Sequence, residues 1–283
     1  MESLAAGTLD ARLLADIEAT AVELARLAGA EIENTLGKVL AVEYKGEAAG
    51  APLLRDPVSE VDRNVETLIR ARLAERFPDH DILGEESEER PGRESDFVWA
   101  VDPIDGTTNF VNGFPLFAAS IGVLHRHAPV AGAIWCSASH ALRSGVYHAR
   151  SGGRLHFDEA EIAHVGNPAV RRWLAGEPEA TARPGLPWDV RKTGSAAIEC
   201  AFVAAGLLRV ARFERPNVWD VAAGLALVRA TGGVILTQSG DGWTTFERFE
   251  AVVPSDEALA DLRHWRRPLL IGEEVAAGLL AAA

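Results

Sequence analysis

The sequence predicts a mixed α/β (α+β) chain that divides near residue 148. Apolar residues recur at helical spacing up to about Leu36, and again at Val65, Leu68, Ile69, Leu73 and Phe77. Between Phe97 and Ala149, apolar runs separated by short polar breaks have the texture of an antiparallel sheet. Beyond residue 190, two helical patterns precede a strand-like GGVILTQ.

The opening segment interrupts its apolar repeat with Asp and Glu, so it reads as an amphipathic helix and not as a signal peptide. A loop rich in Gly and Ala follows, YKGEAAGAPLLRDP, and then a second helix for which Ser59 and Asp62 can form a cap. FVWAVDPIDG is a β-rich run ending in acidic and turn residues. FAASIGVLH, PVAGAIWCSAS and ALRSGVYHA read as successive strands. Residues 150–189 are the least regular part, with several Gly and Pro. SAAIECAFVAAGLL and WDVAAGLALVRATGG read as helices, the latter stopped by Gly232 and Gly233, and SDEALADLRHWRR as a final helix. The expected units are 1–148, α+β, and 149–283, α/β.

Of the 283 residues, 48% are hydrophobic and 24% charged, as in a soluble globular protein. No stretch approaches the roughly 20 unbroken apolar residues of a membrane helix. A net charge of −13 argues against a nucleic-acid partner. An anionic substrate would then need local positive charge, which bound metal ions supply. Cys136 and Cys200, each in an apolar run, read as buried, inert thiols in a reducing, cytoplasmic setting. His125, His127, His140 and His148 lack zinc spacing, and the seven tryptophans are scattered as packing residues are.

The acidic segments GEES (84–87), DPIDGTTN (102–109) and the dipeptide Trp219-Asp220 carry the chemistry. Pro103 and Gly106 can hold Asp102 and Asp105 at the end of a strand, where α/β sites gather. Magnesium favours a few carboxylates of this kind, with water and phosphate completing its shell. Taken singly, DPIDG is equally well a plain turn, Asp220 a first-turn helix residue and EESEER a solvated charge run.

The segments VSEVD (58–62), GEES, WAVDPIDGTTNFVNGFP (99–115), RKTGSAA (191–197) and WDVAAGLALVRATGG (219–233) together resemble the inositol monophosphatase family, in its order and at about its spacing. The resemblance implies a layered αβαβα sandwich of the inositol monophosphatase/fructose-1,6-bisphosphatase type. It implies hydrolysis of a small phosphate monoester with two or three Mg²⁺ ions and metal-activated water. Glu85, Asp102, the Ile104 carbonyl, Asp105 and Asp220 would be the metal ligands, most of them in the first unit and Asp220 in the second. Glu85, Asp62 and Thr107 would position and activate the water. The amides of Gly106 and Thr107 would cradle the phosphate. Arg191, Gly194, Ser195 and Ala196 would line the substrate side, and Lys45 or Arg55 could reach the phosphate from the 44–57 flap. A homodimer is the family's common state.

The sequence departs from that pattern in two places. Phe213 stands where inositol-preferring members carry a hydroxyl-binding glutamate, with Glu214 next to it, and a phenyl ring accepts no such hydrogen bond. SGGRLHFDEAEI replaces the family's Gly-Ala-x-x-Asn-Gly segment. The alternatives are therefore a histidinol-phosphate or 3′-phosphonucleotide phosphatase, or a regulatory scaffold with secondary activity.

Overall fold

The computed structural model describes residues 9–38, 40–44, 57–87, 95–162, 167, 169–177, 185–240, 242–250 and 258–282. Lys45 and Arg55 lie outside them.

Helix α1 (Ala11–Thr35), capped by Asp10, is followed by strands β1 (Val42–Tyr44) and β2 (Pro57–Ser59), which pair antiparallel. Helix α2 (Glu60–Arg76) starts in the expected capping box: Ser59 and Asp62 satisfy each other's backbone donors. Next come β3 (Asp81–Gly84), β4 (Phe97–Asp105), the short helix α3 (Thr107–Val111), β5 (Ala118–His125), β6 (Ala128–Cys136), β7 (Gly145–Arg150), β8 (His156–Phe157) and β9 (Ala160–Glu161). These strands form one seven-stranded sheet in sequence order, antiparallel throughout except where β3 runs parallel to β4. The expected division after residue 148 falls inside β7. SGGRLHFDEAEI turns back on this sheet as the β8–β9 hairpin.

Residues 173–191, which look irregular in sequence, supply β10 (Trp173–Gly176) and β11 (Trp188–Arg191). Then follow α4 (Ala196–Ala204), β12 (Val210–Phe213), α5 (Val218–Ala230), β13 (Val234–Ser239), β14 (Gly242–Thr245), α6 (Ala258–Arg263), β15 (Leu269–Gly272) and α7 (Glu274–Ala281). The second sheet has the order β11-β10-β12-β15-β13-β14.

The layers follow from the period-two alternation of the first sheet. Trp99, Val101, Ala119, Ile121 and Val123 face α1 and α2, whereas Val98, Ala100, Ala118 and Leu124 face α4 and α5. The second sheet closes α4 and α5 from the other side and packs its far face on α7. The result is an αβαβα sandwich. Helix α5 is apolar around its whole circumference because it is buried on all sides. Small residues let it sit unusually close. A Cβ on Gly122 would fall 2.6 Å from Ala223 N, one on Gly132 2.4 Å from Ala223 O, and one on Gly224 2.1 Å from Cys200 Cβ in α4. This packing sets the start of α5, and with it Asp220, against the end of β4. Both cysteines are buried, and burial pushes their thiols well above the usual range.

Candidate functional site

The pleat of β4 puts Asp102 on the α5 face, two residues beyond Ala100. Three residues further on, Asp105 would point the opposite way in a regular strand. The ladder is interrupted here: Asp102 pairs with Ser120 and Asp105 with Ala118, so one extra residue is accommodated beside Pro103. This bulge turns both carboxylates to one side. The β3–β4 register pairs Gly84 with Val101, and the Glu85 amide still donates to Val101 O at 3.2 Å. Glu85 thus enters the site next to Asp102. From α5, the Ser120 hydroxyl holds Trp219 O at 3.1 Å, fixing the residue before Asp220.

The aspartates share one design. Asp62 Oδ2 accepts from Ser59 N (2.8 Å) and Ser59 Oγ (2.5 Å). Asp105 Oδ2 accepts from Ser195 Oγ (2.5 Å) and Ala197 N (2.6 Å). Asp220 Oδ2 accepts from Asn217 N (2.8 Å) and Asn217 Nδ2 (3.0 Å). The shortest tethers fall on Oδ2 and fix each carboxylate's direction, with Asn217 Nδ2 also reaching Asp220 Oδ1 at 3.2 Å. Thr107 Oγ1 lies 2.8 Å from Ile104 O and 3.3 Å from Asp62 Oδ1, joining the turn to α2.

The electrostatics show that the segments converge. Burial, followed by the charges of Glu85, Asp105 and Asp220, holds Asp102 well above the usual carboxylate range. Burial dominates for the others as well, raising Asp62 to about 6, Asp105 to about 6 and Asp220 to about 8, with the Glu85 charge adding to each. Asp102 Oδ1 is buried without a hydrogen-bond partner. An acceptor left so in a cluster of like charges fits a cation, and an oxygen-only donor set fits a hard one such as Mg²⁺.

Gly106, at φ 87°, caps α3 in the left-handed region, and a Cβ there would fall 3.2 Å from both Gly194 O and Leu116 O. Gly194 (φ 79°) and Ser195 thereby join the turn. Ser195 is the N-cap of α4 and Ala196 its first residue. Asn109, present in the 99–115 motif but not singled out there, donates to Leu116 O (2.6 Å) and Thr193 O (2.8 Å), bridging the two motifs. Another residue missed in sequence is Glu199. It accepts from Thr193 N and Thr193 Oγ1, and burial raises its pKa to about 7. The remaining substrate-side candidates are Phe213, Glu214 and Arg191. Phe213 is 5% exposed within the apolar core, Glu214 is paired with Arg212 (2.7 Å), and Arg191 is exposed at the end of β11.

A second acidic cluster, Glu18 with His148 and His156, was invisible to spacing because 130 residues separate Glu18 from His148. His148 Nδ1 lies 2.7 Å from Glu18 Oε1 and Nε2 2.9 Å from Asp158 O. With acceptors on both sides, the ring donates twice and is an imidazolium. Arg150 pairs with the other oxygen of Glu18. Two cations already balance this carboxylate, so the cluster is an ion-pair network fastening α1 to β7. Burial opposes charging in both partners, but their hydrogen bonds outweigh it, leaving Glu18 lowered and His148 raised. The network's stabilisation is complete above the ordinary glutamate range and below about pH 6.5. It fades as pH climbs through the raised value of His148.

Known proteins place this architecture. The model of the inositol monophosphatase family matches residues 13–267. An inositol-1-monophosphatase from Synechocystis sp. is 33% identical over 229 residues, 76% of each chain. A fructose-1,6-bisphosphatase/inositol-1-monophosphatase from Aquifex aeolicus is 31% identical over 231 residues, 75% of this chain and 82% of that one. The crystal structure of extragenic suppressor protein suhB from Bartonella henselae superimposes with a TM-score of 0.71 at 27% identity, covering 94% of this chain and 97% of that one. The class is that of phosphoric monoester hydrolases. The chain belongs to the inositol monophosphatase family.

Proposed function

We propose that this phosphatase works with magnesium held by Glu85, Asp102, Asp105, Asp220 and the Ile104 carbonyl. The observation that carries this reading is Asp102 Oδ1, buried and unpartnered among mutually repelling carboxylates. When bound, the ions neutralise charge on the phosphoryl and leaving groups and activate a water. Asp62 Oδ1, beside Thr107 Oγ1, is the acceptor for the water's proton. The Gly106 and Thr107 amides orient the phosphoryl oxygens. Gly194, Ser195 and Ala196 wall the substrate side.

The substrate is a small polar monoester. Phe213, a core residue with a phenyl ring, supplies no hydroxyl acceptor of the kind inositol-preferring relatives carry. The test is phosphate release from inositol 1-phosphate, fructose 1,6-bisphosphate, histidinol phosphate and 3′-phosphoadenosine 5′-phosphate, with magnesium and with chelator. Release that requires magnesium is expected, with one compound preferred. Equal release in chelator would refute the magnesium reading.

A further inference from the structure

The Glu85 segment is gripped from opposite sides by residues outside the acidic motifs. Glu66 lies one helical turn beyond Asp62 on α2 and is 1% exposed. Its Oε2 accepts from Glu86 N at 2.8 Å, and its Oε1 accepts from Ser87 N at 3.1 Å and from Arg70 Nε at 2.8 Å. Gly84 makes room for this arrangement, since a Cβ there would fall 2.4 Å from Glu66 Oε1. From the far side, Arg263 at the end of α6 donates to Gly84 O (2.6 Å) and Ser87 O (3.1 Å). The same guanidinium lies over the Trp219 ring, 5.3 Å from its centroid. Trp219 directly precedes Asp220.

We infer that Glu66 and Arg263 are positioning residues that clamp the Glu85 segment and so set the affinity of the centre for metal. This rests on the magnesium reading above. Glu85 repels Asp62, Asp102, Asp105 and Asp220. An unrestrained segment would relax by swinging Glu85 away, and metal binding would then have to pull it back. The clamp prevents that relaxation by engaging backbone groups on both sides of Glu85. Arg263 also ties the segment to the residue preceding Asp220, so that the ligands from the first sheet and from α5 keep one geometry.

The test is calorimetric titration of Mg²⁺ into the full-length chain and into Glu66→Gln, Arg263→Ala and Arg263→Lys. Melting in chelator and the magnesium dependence of phosphate release would be measured alongside. Glu66→Gln and Arg263→Ala are expected to weaken magnesium binding about 10–100-fold, as outer-shell changes at metal sites do. The half-saturating magnesium concentration should rise by the same factor, and kcat at saturating magnesium should return to within about threefold of wild type. Arg263→Lys, which keeps the charge but loses the planar guanidinium over Trp219, should fall between. A lower melting temperature with unchanged magnesium affinity would make the clamp merely structural and overturn the inference. Wild-type affinity in every variant would overturn it as well. If Glu66→Gln does not fold, the Arg263 pair decides. Failure of the wild type to bind magnesium would sink the magnesium reading itself, and the inference with it.

Discussion

Asp105→Asn is expected to lower magnesium-dependent phosphate release about 10³-fold, the equivalent of roughly 4 kcal/mol, while leaving the protein folded. Two of the donors to this residue, Ser195 Oγ and Ala197 N, bond to Oδ2. An asparagine keeps those bonds only by offering its oxygen to them, which turns its NH₂ towards the centre. A hydrogen-bond donor then stands where a cation needs a lone pair. Removing one negative charge also relieves Asp102 and Asp220, which the Asp105 charge raises. The metal-free variant should therefore melt no lower than wild type. Activity and stability should move in opposite directions, which a general packing defect would not produce. Circular dichroism with a phosphate-release assay checks both.

The second large effect is on stability. At a hundredfold excess over its dissociation constant, magnesium should stabilise the fold by about 2.7 kcal/mol. In a chain of this size, that is roughly 5–10 °C in melting temperature. The increment should be larger at pH 8 than at pH 5.5, and the sign follows from linkage. Asp62 and Asp105 (each about 6) and Asp220 (about 8) have values raised above the ordinary carboxylate range, and Asp102 is raised well above it too. In the metal-free fold the carboxylates keep protons that the unfolded chain has released. That stabilisation is complete below the unfolded values, near pH 4, and is lost as pH rises through 6 to 8. Metal replaces the missing protons where they are scarcest and competes with them at low pH. A thermal shift of equal size at both pH values would contradict this coupling.

Much of this arrangement was legible in the sequence because it is local. The Ser59–Asp62 cap, the three antiparallel strands from Ala118 to Arg150 and the start of α5 at Asp220 each follow from residues within a few positions of one another. The bulge that converges Asp102 and Asp105 was only implied, by a proline inside an otherwise regular strand. Strands β10 and β11 escaped notice because four-residue strands interrupted by Gly and Pro carry too few positions to show a period. The reading of Phe213 shows the limit of carrying a motif across. The sequence could not show that the Phe213 ring belongs to the core. The Glu18–His148 network and the Arg263 grip on Gly84 and Ser87 join residues well over a hundred positions apart, and single-sequence spacing has no access to such pairs.

The carboxylate centre is tested most directly by its occupancy. Crystals grown with Mn²⁺, which takes the same oxygen ligands and scatters anomalously, should show density against Asp102 Oδ1 and between Asp105 and Asp220, with Glu85 closing the shell. Anomalous density confined to the Glu18–His148–His156 cluster, or absent from the aspartates at saturating metal, would contradict the assignment.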